Sequence, residues 1–287
     1  MARVPTSRLA GDRSERVGIP AVSPATARFD FLSRMESADS RSPAEREAAP
    51  DSRHVGLIGG LGVGAAVIYY RAIAAGCADR ATVPRMTIVH AHAATALAYV
   101  TAGRIDELAD YLADFVAELR SVGAMFFAIP AVTPHIALGP LRKRDSMPIV
   151  DMLEVTAHGL RERGFSRIAL FGTRFTIETA LFGALDAFDV IPPRRQEIDE
   201  IHRVYLELAT AGHTSAAGVQ ALRDIARAIR RRDHVDAVVL AGTDFNLIFD
   251  EASAGFPAFD CASAHINAIL DRATPGWPTT RRSLAAG

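Results

Sequence analysis

Short aliphatic runs and longer amphipathic segments alternate along the chain from residue 54 onward. The short runs are rich in Val, Ile, Leu and Ala, as is typical of strands buried in a parallel sheet. In the longer segments, apolar residues recur at the spacing that gives a helix one apolar face. This alternation indicates βα units and therefore an α/β fold with mostly parallel sheets. The predicted strands are 54–60, 87–92, 124–129, 148–152, 166–172, 235–241 and 258–261. The helical core positions are Ile105, Leu108, Leu112, Phe115, Val116, Leu119 and Val122 in one segment and Val219, Leu222, Ile225 and Ile229 in another.

The strand series starts afresh halfway along the chain. Residues 163–167, Arg-Gly-Phe-Ser-Arg, separate a helical pattern from a new strand, and further strand and helix patterns follow. Two similar lobes are therefore expected. Ligands of open α/β sheets bind in a crevice at the carboxyl ends of the strands, so the loops that follow strands are the candidates for chemistry.

Composition and charge narrow the range of partners. The chain has 32 Lys and Arg against 33 Asp and Glu, and its net charge of −1 does not favour nucleic acid or an anionic membrane. Its apolar runs are interrupted before the roughly 20 residues needed to span a bilayer. Residues 1–53 are rich in Arg, Ser, Pro, Ala and Glu, which predicts a disordered extension. We expect a cytoplasmic protein whose partners are small molecules.

The two cysteines, Cys77 and Cys261, do not form a metal-binding motif. Neither lies in a C-x-x-C pair. The sequence therefore predicts neither a structural disulfide nor a zinc site.

The loop at 59–66, here called the glycine loop, follows the first strand. Gly60, Gly62 and Ala65 satisfy the dinucleotide pattern G-x-G-x-x-A. The second strand ends in Val-His-Ala-His at 89–92, however, and offers no acidic residue for a ribose hydroxyl. A glycine turn that presents backbone N–H groups to a carboxylate explains the same residues.

The loop at 130–135, the His135 loop, follows the third strand. Thr133 and His135 are its only side chains that donate hydrogen bonds or transfer protons. A histidine at this position suits acid–base chemistry. Its alternative role is that of a residue packed on the lobe surface at the start of a helix, and the sequence leaves both readings open.

Two loops of the second half carry hydroxyl and carboxyl groups. In the Thr173 loop, 171–178, Thr173 and Thr176 predict an anion seat, simple helix capping by Thr176, or both. The Asp244 loop, 240–246, places a hydroxyl and a carboxylate side by side. After the last strand, we expect Asp260 to cap a helix and His265 to face solvent.

Taken together, these loops resemble the aspartate/glutamate racemase superfamily over residues 54–271. Residues 56–62 read G-L-I-G-G-L-G, similar to the family's G-L-I-G-G-M-G, and 69–71 read Y-Y-R. The most specific element, L-F-G-T-R-F-T-I-E at 170–178, is similar to the family's L-L-G-T-R-Y-T-M-E. Phe259 and Asp260 with His265 match its closing segment.

The resemblance implies cofactor-independent isomerase chemistry, in which two cysteines invert an α-carbon without pyridoxal phosphate. It also implies two pseudo-symmetric three-layer lobes, an active site in the cleft between them, and a homodimer. The expected division is a first lobe of 54–152 plus 253–273, a second lobe of 153–252, and a flexible tail at 274–287.

Both cysteine positions of the family differ in this chain. Ala131 stands where the family usually has the cysteine of C-N-T-x-H, and Gly242 stands where it has the cysteine of G-C-T-E. Racemisation needs an acid/base group on each face of the carbon. Alanine and glycine provide neither.

We therefore expect a divergent amino-acid racemase-like enzyme that transfers a proton next to the carboxylate of a small substrate, as an isomerase or in one-sided lyase, decarboxylase or cyclase chemistry. The alternatives are an inactive homologue that binds a small carboxylate or a partner protein, and ordinary racemisation with His135 and Asp244 as the two bases. The predicted catalytic residues are His135, Asp244, Thr133 and Thr243. The predicted substrate-binding residues are Gly59, Gly60, Leu61, His92, Ala131, Val132, Thr173, Arg174, Thr176 and Gly242.

Overall fold

Two parallel sheets organise the chain in the computed structural model, which describes residues 51–274 and Gly276. The first sheet has the order β2-β1-β3 and the second the order β5-β4-β6-β7, and every strand pair is parallel. The predicted α/β class with parallel sheets is confirmed. The strands are β1 Val55–Gly59, β2 Met86–His90, β3 Phe126–Ala128, β4 Arg167–Phe171, β5 Asp189–Val190, β6 Ala237–Leu240 and β7 Ala258–Asp260.

Nine α-helices and two 3₁₀ turns within the described residues connect these strands. The helices are α1 Val63–Asp79, α2 Ala93–Thr101, α3 Ile105–Ser121, α4 Leu138–Arg144, α5 Met152–Glu162, α6 Arg174–Glu178, α7 Arg195–Ala211, α8 Ala216–Asp233 and α9 Cys261–Ala273. The first 3₁₀ turn is Thr133–Ala137 and the second is Thr243–Leu247. None of the helices in the described part of the chain has the length and apolar character needed to cross a membrane.

Helix α3 packs directly on strand β1. All five residues of β1 are buried, as expected for a strand covered on both faces. A Cβ on Gly56 would lie 2.7 Å from Cδ1 of Leu119, so this contact requires a glycine in the strand. Leu108, Leu112 and Leu119 of α3 are fully buried, as the sequence predicts. Val122 lies just after the end of the helix and is 53% exposed, so its prediction as a core position is wrong.

The strand predicted at 148–152 is reduced to a single bridge. Ile149 pairs with Phe127, and the Val150 N–H donates to the Phe127 carbonyl. The pairing ends there because the Asp151 side chain accepts a hydrogen bond from the Leu153 N–H at 2.8 Å and caps α5.

The segment 253–273 is divided between the two sheets, so its assignment to the first lobe alone is wrong. Strand β7 pairs with β6 and extends the second sheet. Helix α9 instead packs on α1 and α5. A Cβ on Gly76 of α1 would lie 2.4 Å from Cδ1 of Leu270, which shows how closely α1 and α9 approach.

Each segment that the sequence predicts to be flexible includes residues that are ordered in the structure. Residues 51–53 are ordered, since the Ser52 N–H donates to the Val83 carbonyl and the Arg53 N–H donates to the Ala273 carbonyl, each at 2.8 Å. Thr274 is buried and accepts a hydrogen bond from Arg80. The disorder prediction is wrong for these residues. Its remaining parts, 1–50 and the tail apart from Gly276, lie outside the described residues.

Candidate functional site

Three of the predicted loops meet at the start of α1. A Cβ on Gly62 would lie 3.8 Å from Oδ2 of Asp244 and 3.9 Å from the Pro130 carbonyl oxygen. A Cβ on Gly64 would lie 3.3 Å from Oδ1 of Asp244. The glycine loop of the first sheet therefore faces the Asp244 carboxylate of the second, with the His135 loop beside it. Gly62 and Gly64 leave the space that this carboxylate needs.

The glycine loop is built for close backbone approach. Gly60 has φ +81°, and a Cβ there would lie 2.1 Å from the Ala91 carbonyl oxygen, so only glycine fits. Gly59 is similarly confined, with Ile88 3.0 Å from the position of its Cβ. A dinucleotide pyrophosphate at the start of α1 would meet the Asp244 carboxylate, and like charges repel. The geometry therefore favours close packing as the reason for these glycines.

Asp244 is a buried acid with one hydroxyl partner. Asp244 is 3% exposed, and burial raises the pKa of its carboxyl above the usual value. The Tyr205 hydroxyl donates to Oδ2 at 3.1 Å and opposes that rise. Burial, followed by the charge of Asp244, raises the pKa of Tyr205 well above its ordinary value, while Thr243 lowers it by hydrogen bonding. The Tyr205 hydroxyl is therefore protonated at neutral pH.

The Tyr205 ring fills the space in front of Gly242. A Cβ on Gly242 would lie 2.3 Å from Cε2 of Tyr205, far inside van der Waals contact. Tyr205 and Phe245 have ring centroids 5.1 Å apart, so the Tyr205 ring also packs against Phe245. No side chain at position 242 fits unless Tyr205 moves.

His135 is buried, and both of its ring nitrogens are engaged by the backbone. Nδ1 lies 2.8 Å from the Ala131 carbonyl oxygen, and Nε2 accepts from the Met152 N–H at 3.3 Å. This pattern requires the neutral tautomer with the proton on Nδ1, and burial lowers the pKa of His135. The alternative of a surface-packed histidine is wrong. Proton exchange with a substrate stays a prediction, which this hydrogen bonding does not favour.

His265 is fully buried, so the expectation that it faces solvent is wrong. Its Nε2 donates to the Val150 carbonyl at 2.8 Å, and its Nδ1 accepts from the Tyr69 hydroxyl at 3.0 Å. Burial, and secondarily His135, lower its pKa to about 3. The expected Asp260 cap is confirmed, because its side chain accepts from the Ala262 N–H at 2.9 Å.

In the Thr173 loop the cap is Thr173 and not Thr176. The Thr173 hydroxyl accepts from the Thr176 N–H at 3.1 Å, so the prediction of capping by Thr176 is wrong. The Arg174 side chain forms ion pairs with Asp199 of α7 and with Glu178. It is therefore engaged by acidic side chains of its own lobe.

The Thr173 and Asp244 loops touch through their backbones. A Cβ on Gly172 would lie 2.8 Å from the Ala241 carbonyl oxygen, because β4 and β6 are neighbours and end side by side. Thr176 is buried at this contact, 3.3 Å from the same Cβ position. The structure therefore brings these two loops together, as expected for adjacent parallel strands.

The other predicted binding residues differ in exposure. Ala131 and Val132 are buried, while Thr133 and Leu61 are half-buried. His92 is exposed at the start of α2, where its Nδ1 lies 3.0 Å from the Thr95 hydroxyl. Substrate binding by these residues stays a prediction.

Helix α7 supplies two polar residues that the sequence analysis missed. His202 and Tyr205 lie three positions apart, and the Arg174 N–H donates to Nδ1 of His202 at 3.2 Å while Tyr205 reaches Asp244. The buried stripe of the helix was a signal that could have located it. The contacts of His202 with the Thr173 loop and of Tyr205 with the Asp244 loop depend on how α7 packs, which the sequence pattern does not give.

Comparison with known proteins gives consistent matches. The family model for Asp/Glu/hydantoin racemases matches residues 58–269. The broad-specificity amino-acid racemase RacX of Bacillus subtilis (strain 168) is 22% identical over 163 residues, covering 55% of this chain and 69% of RacX.

Solved structures agree with this fold. A candidate Asp/Glu racemase from Yersinia pestis is 20% identical with a TM-score of 0.68, and the match covers 77% of this chain and 99% of the other. An aspartate racemase homologue from Pyrococcus horikoshii OT3 is 21% identical with a TM-score of 0.66 and the same coverage. At these identities the structures support the architecture.

Proposed function

The chain belongs to the Asp/Glu/hydantoin racemase family, and from that membership we propose that it transfers a proton at the carbon next to the carboxylate of a small amino-acid-like substrate. We propose Asp244 as the acid/base group, acting from the second lobe only. Ala131 and Gly242 carry no side chain that transfers protons. The proposed chemistry is therefore one-sided, as in exchange, elimination, decarboxylation or cyclisation, and differs from two-base racemisation.

The environment of Asp244 is the observation that carries the proposal. Burial raises its pKa, and an acid/base group works best when its pKa lies near the working pH. Its Oδ1 faces Gly64 of α1, which contributes no side chain of its own. A carboxyl in this position is suited both to take and to return a proton.

Threonine hydroxyls and His135 have supporting roles in this proposal. Thr133 and Thr243 supply hydrogen-bond donors for a substrate carboxylate without metal or cofactor. His135 holds the first 3₁₀ turn in place through its bonds to Ala131 and Met152. The proposed base is therefore Asp244 alone.

The second candidate is an inactive homologue that binds a small carboxylate. Two observations favour it: both ring nitrogens of His135 are occupied, and Asp244 is only 3% exposed. A substrate reaches Asp244 only if the facing loops separate. Binding without proton transfer would not require an acid/base group in contact with the substrate carbon.

Hydrogen exchange at the α-carbon tests the proposal. The protein is incubated in deuterated water with the separate enantiomers of aspartate, glutamate and other amino acids, and deuterium uptake and optical purity are followed. We expect uptake into one enantiomer with retained configuration, because one base removes and returns the proton on the same face. Asp244→Asn should lower the rate by about 10²- to 10⁴-fold.

Asp224→Asn is the matched control, because Asp224 is an exposed aspartate on α8. It should leave the exchange rate unchanged. Loss of optical purity at the rate of deuterium uptake would contradict one-sided transfer. Absence of exchange, together with a melting temperature raised by a dicarboxylate, would favour the inactive homologue. The homodimer implied by the family resemblance stays a prediction that light scattering can check.

A further inference from the structure

We propose that Tyr205 is a positioning residue that orients the Asp244 carboxylate from the space in front of Gly242, so that the Tyr205–Asp244 pair is the acid/base unit of this chain. The inference rests on the proposed function in assigning proton transfer to Asp244. The orientation of Asp244 by Tyr205 is testable without a substrate.

Packing fixes the Tyr205 ring. Cε2, Cδ2 and Cζ of the ring lie 2.3, 3.0 and 3.0 Å from the position of a Cβ on Gly242. The Phe245 ring also packs against Tyr205, with ring centroids 5.1 Å apart. A ring held in this way presents its hydroxyl to one place, 3.1 Å from Oδ2 of Asp244.

This hydrogen bond gives the two carboxylate oxygens of Asp244 different roles. Oδ2 accepts from Tyr205, while Oδ1 faces Gly64 at the start of α1. In the proposed step the substrate C–H bond breaks, its electron pair stays on the substrate, and the proton moves to Oδ1. Tyr205 keeps its own proton throughout. The proton on Oδ1 exchanges with solvent, and a solvent-derived proton or deuteron then moves from Oδ1 to the same face of the carbon.

The hydrogen bond also governs how easily Asp244 ionises. Burial raises the pKa of Asp244, and the Tyr205 hydroxyl and the Asp244 backbone N–H lower it. Helix α1 faces this carboxylate with Gly62 and Gly64, and its N-terminus favours the negative charge. On the side of β7 and α9, the acid Asp260 is bonded by Asn246, which belongs to the same 3₁₀ turn as Asp244.

Carbon-13 NMR of the full chain tests the pair directly. The Cγ of aspartate is labelled, and the Asp244 signal is assigned by its loss in Asp244→Asn. Tyr205→Phe removes the hydroxyl and retains the ring, so the space before Gly242 stays filled. We expect the Asp244 titration midpoint to move to higher pH in Tyr205→Phe. An unchanged midpoint in folded Tyr205→Phe would overturn the proposal.

Tyr111→Phe is the control, because the Tyr111 hydroxyl instead accepts from the His92 N–H in the first lobe. It should leave the midpoint in place. A second measurement needs no substitution at position 205: the labelled Cζ of Tyr205 in the native protein should shift at the pH where Asp244 ionises. A Tyr205 Cζ signal that does not shift when Asp244 ionises would also overturn the proposal. Failure to find any substrate would count against the proposed function and leave both readouts intact.

Discussion

The ring of Tyr205 occupies the space that a side chain at Gly242 would need: a Cβ on Gly242 would lie 2.3 Å from Cε2 of the ring. The sequence resemblance predicts that position 242 corresponds to the second cysteine of the racemase family. Here the chain has a glycine, and a side chain from helix α7 occupies the space. Any side chain introduced at position 242 is therefore coupled to the position of Tyr205.

This coupling predicts the stability of variants at position 242. Gly242→Ala should lower the free energy of unfolding by about 1–3 kcal/mol, because it overpacks a filled space. Adding Tyr205→Ala should remove that penalty, so the two changes should be non-additive by about 0.5–3 kcal/mol. Urea unfolding of the native protein, both single variants and the double variant measures this coupling.

Gly139→Ala is the control for the coupling experiment, because a Cβ on Gly139 would meet nothing within 4 Å. It should leave stability within about 1 kcal/mol of the native value. Equal stability of Gly242→Ala and the native protein would show that the Tyr205 ring moves aside without cost, which would contradict the coupling.

The same contact predicts what is needed to build a cysteine pair. Ala131→Cys with Gly242→Cys should not racemise aspartate or glutamate, because Tyr205 blocks the second thiol. Adding Tyr205→Ala should allow racemisation, which chiral chromatography detects. If the double variant already racemises with Tyr205 present, the steric argument is wrong.

Acid should destabilise the protein through His265. Burial holds the folded-state pKa of His265 at about 3, whereas an unfolded histidine binds a proton below about 6.5. The unfolded chain therefore binds more protons between these values. The stabilisation is complete above about pH 6.5 and is lost as the pH falls toward 3.

His265→Gln should consequently flatten the fall in melting temperature between pH 7 and pH 4, although it lowers stability at pH 7 by disrupting the bonds to Tyr69 and Val150. The buried carboxyls titrate in both proteins, so the comparison isolates His265. His158→Gln, at an exposed position of α5, should retain the native slope. The same slope in His265→Gln and the native protein would contradict this prediction.

Gly60 should tolerate no side chain. Gly60→Ala combines a left-handed backbone with a Cβ 2.1 Å from the Ala91 carbonyl oxygen. Gly103→Ala imposes a similar φ of +67° in open space and should cost about 1–2 kcal/mol. Thermal unfolding should show a much larger loss for Gly60→Ala. Equal losses would mean that the backbone conformation alone requires the glycine.

Local pattern was sufficient for much of the fold. The apolar runs located six of the seven strands, and helical spacing identified the buried face of α3. The strand β5 is not predicted, because its two residues are too few to show a pattern of apolar and polar positions. The apolar run at 148–152 predicts a strand, but Asp151 caps helix α5 and the pairing ends after one bridge.

Side-chain environments were harder to predict. His135 and His265 lie in a loop and near a helix start, where polar residues are commonly exposed, yet both are buried. His135 accepts from the Met152 N–H at the start of α5, and His265 of α9 bonds to Val150 and Tyr69. Tyr205 lies 39 positions from Asp244 and carries no motif. No periodicity links residues at such a separation.

The sequence by itself determined the parallel α/β plan, the loops after the strands and the family, because strand burial, helix spacing and short motifs are all local properties. Only the tertiary structure decided which side chains meet. The packing of α7 puts Tyr205 against Gly242 and Asp244, and the packing of α9 buries His265 between Tyr69 and Val150. Such contacts depend on the relative placement of distant elements, and that placement sets the burial, hydrogen bonding and pKa of each group.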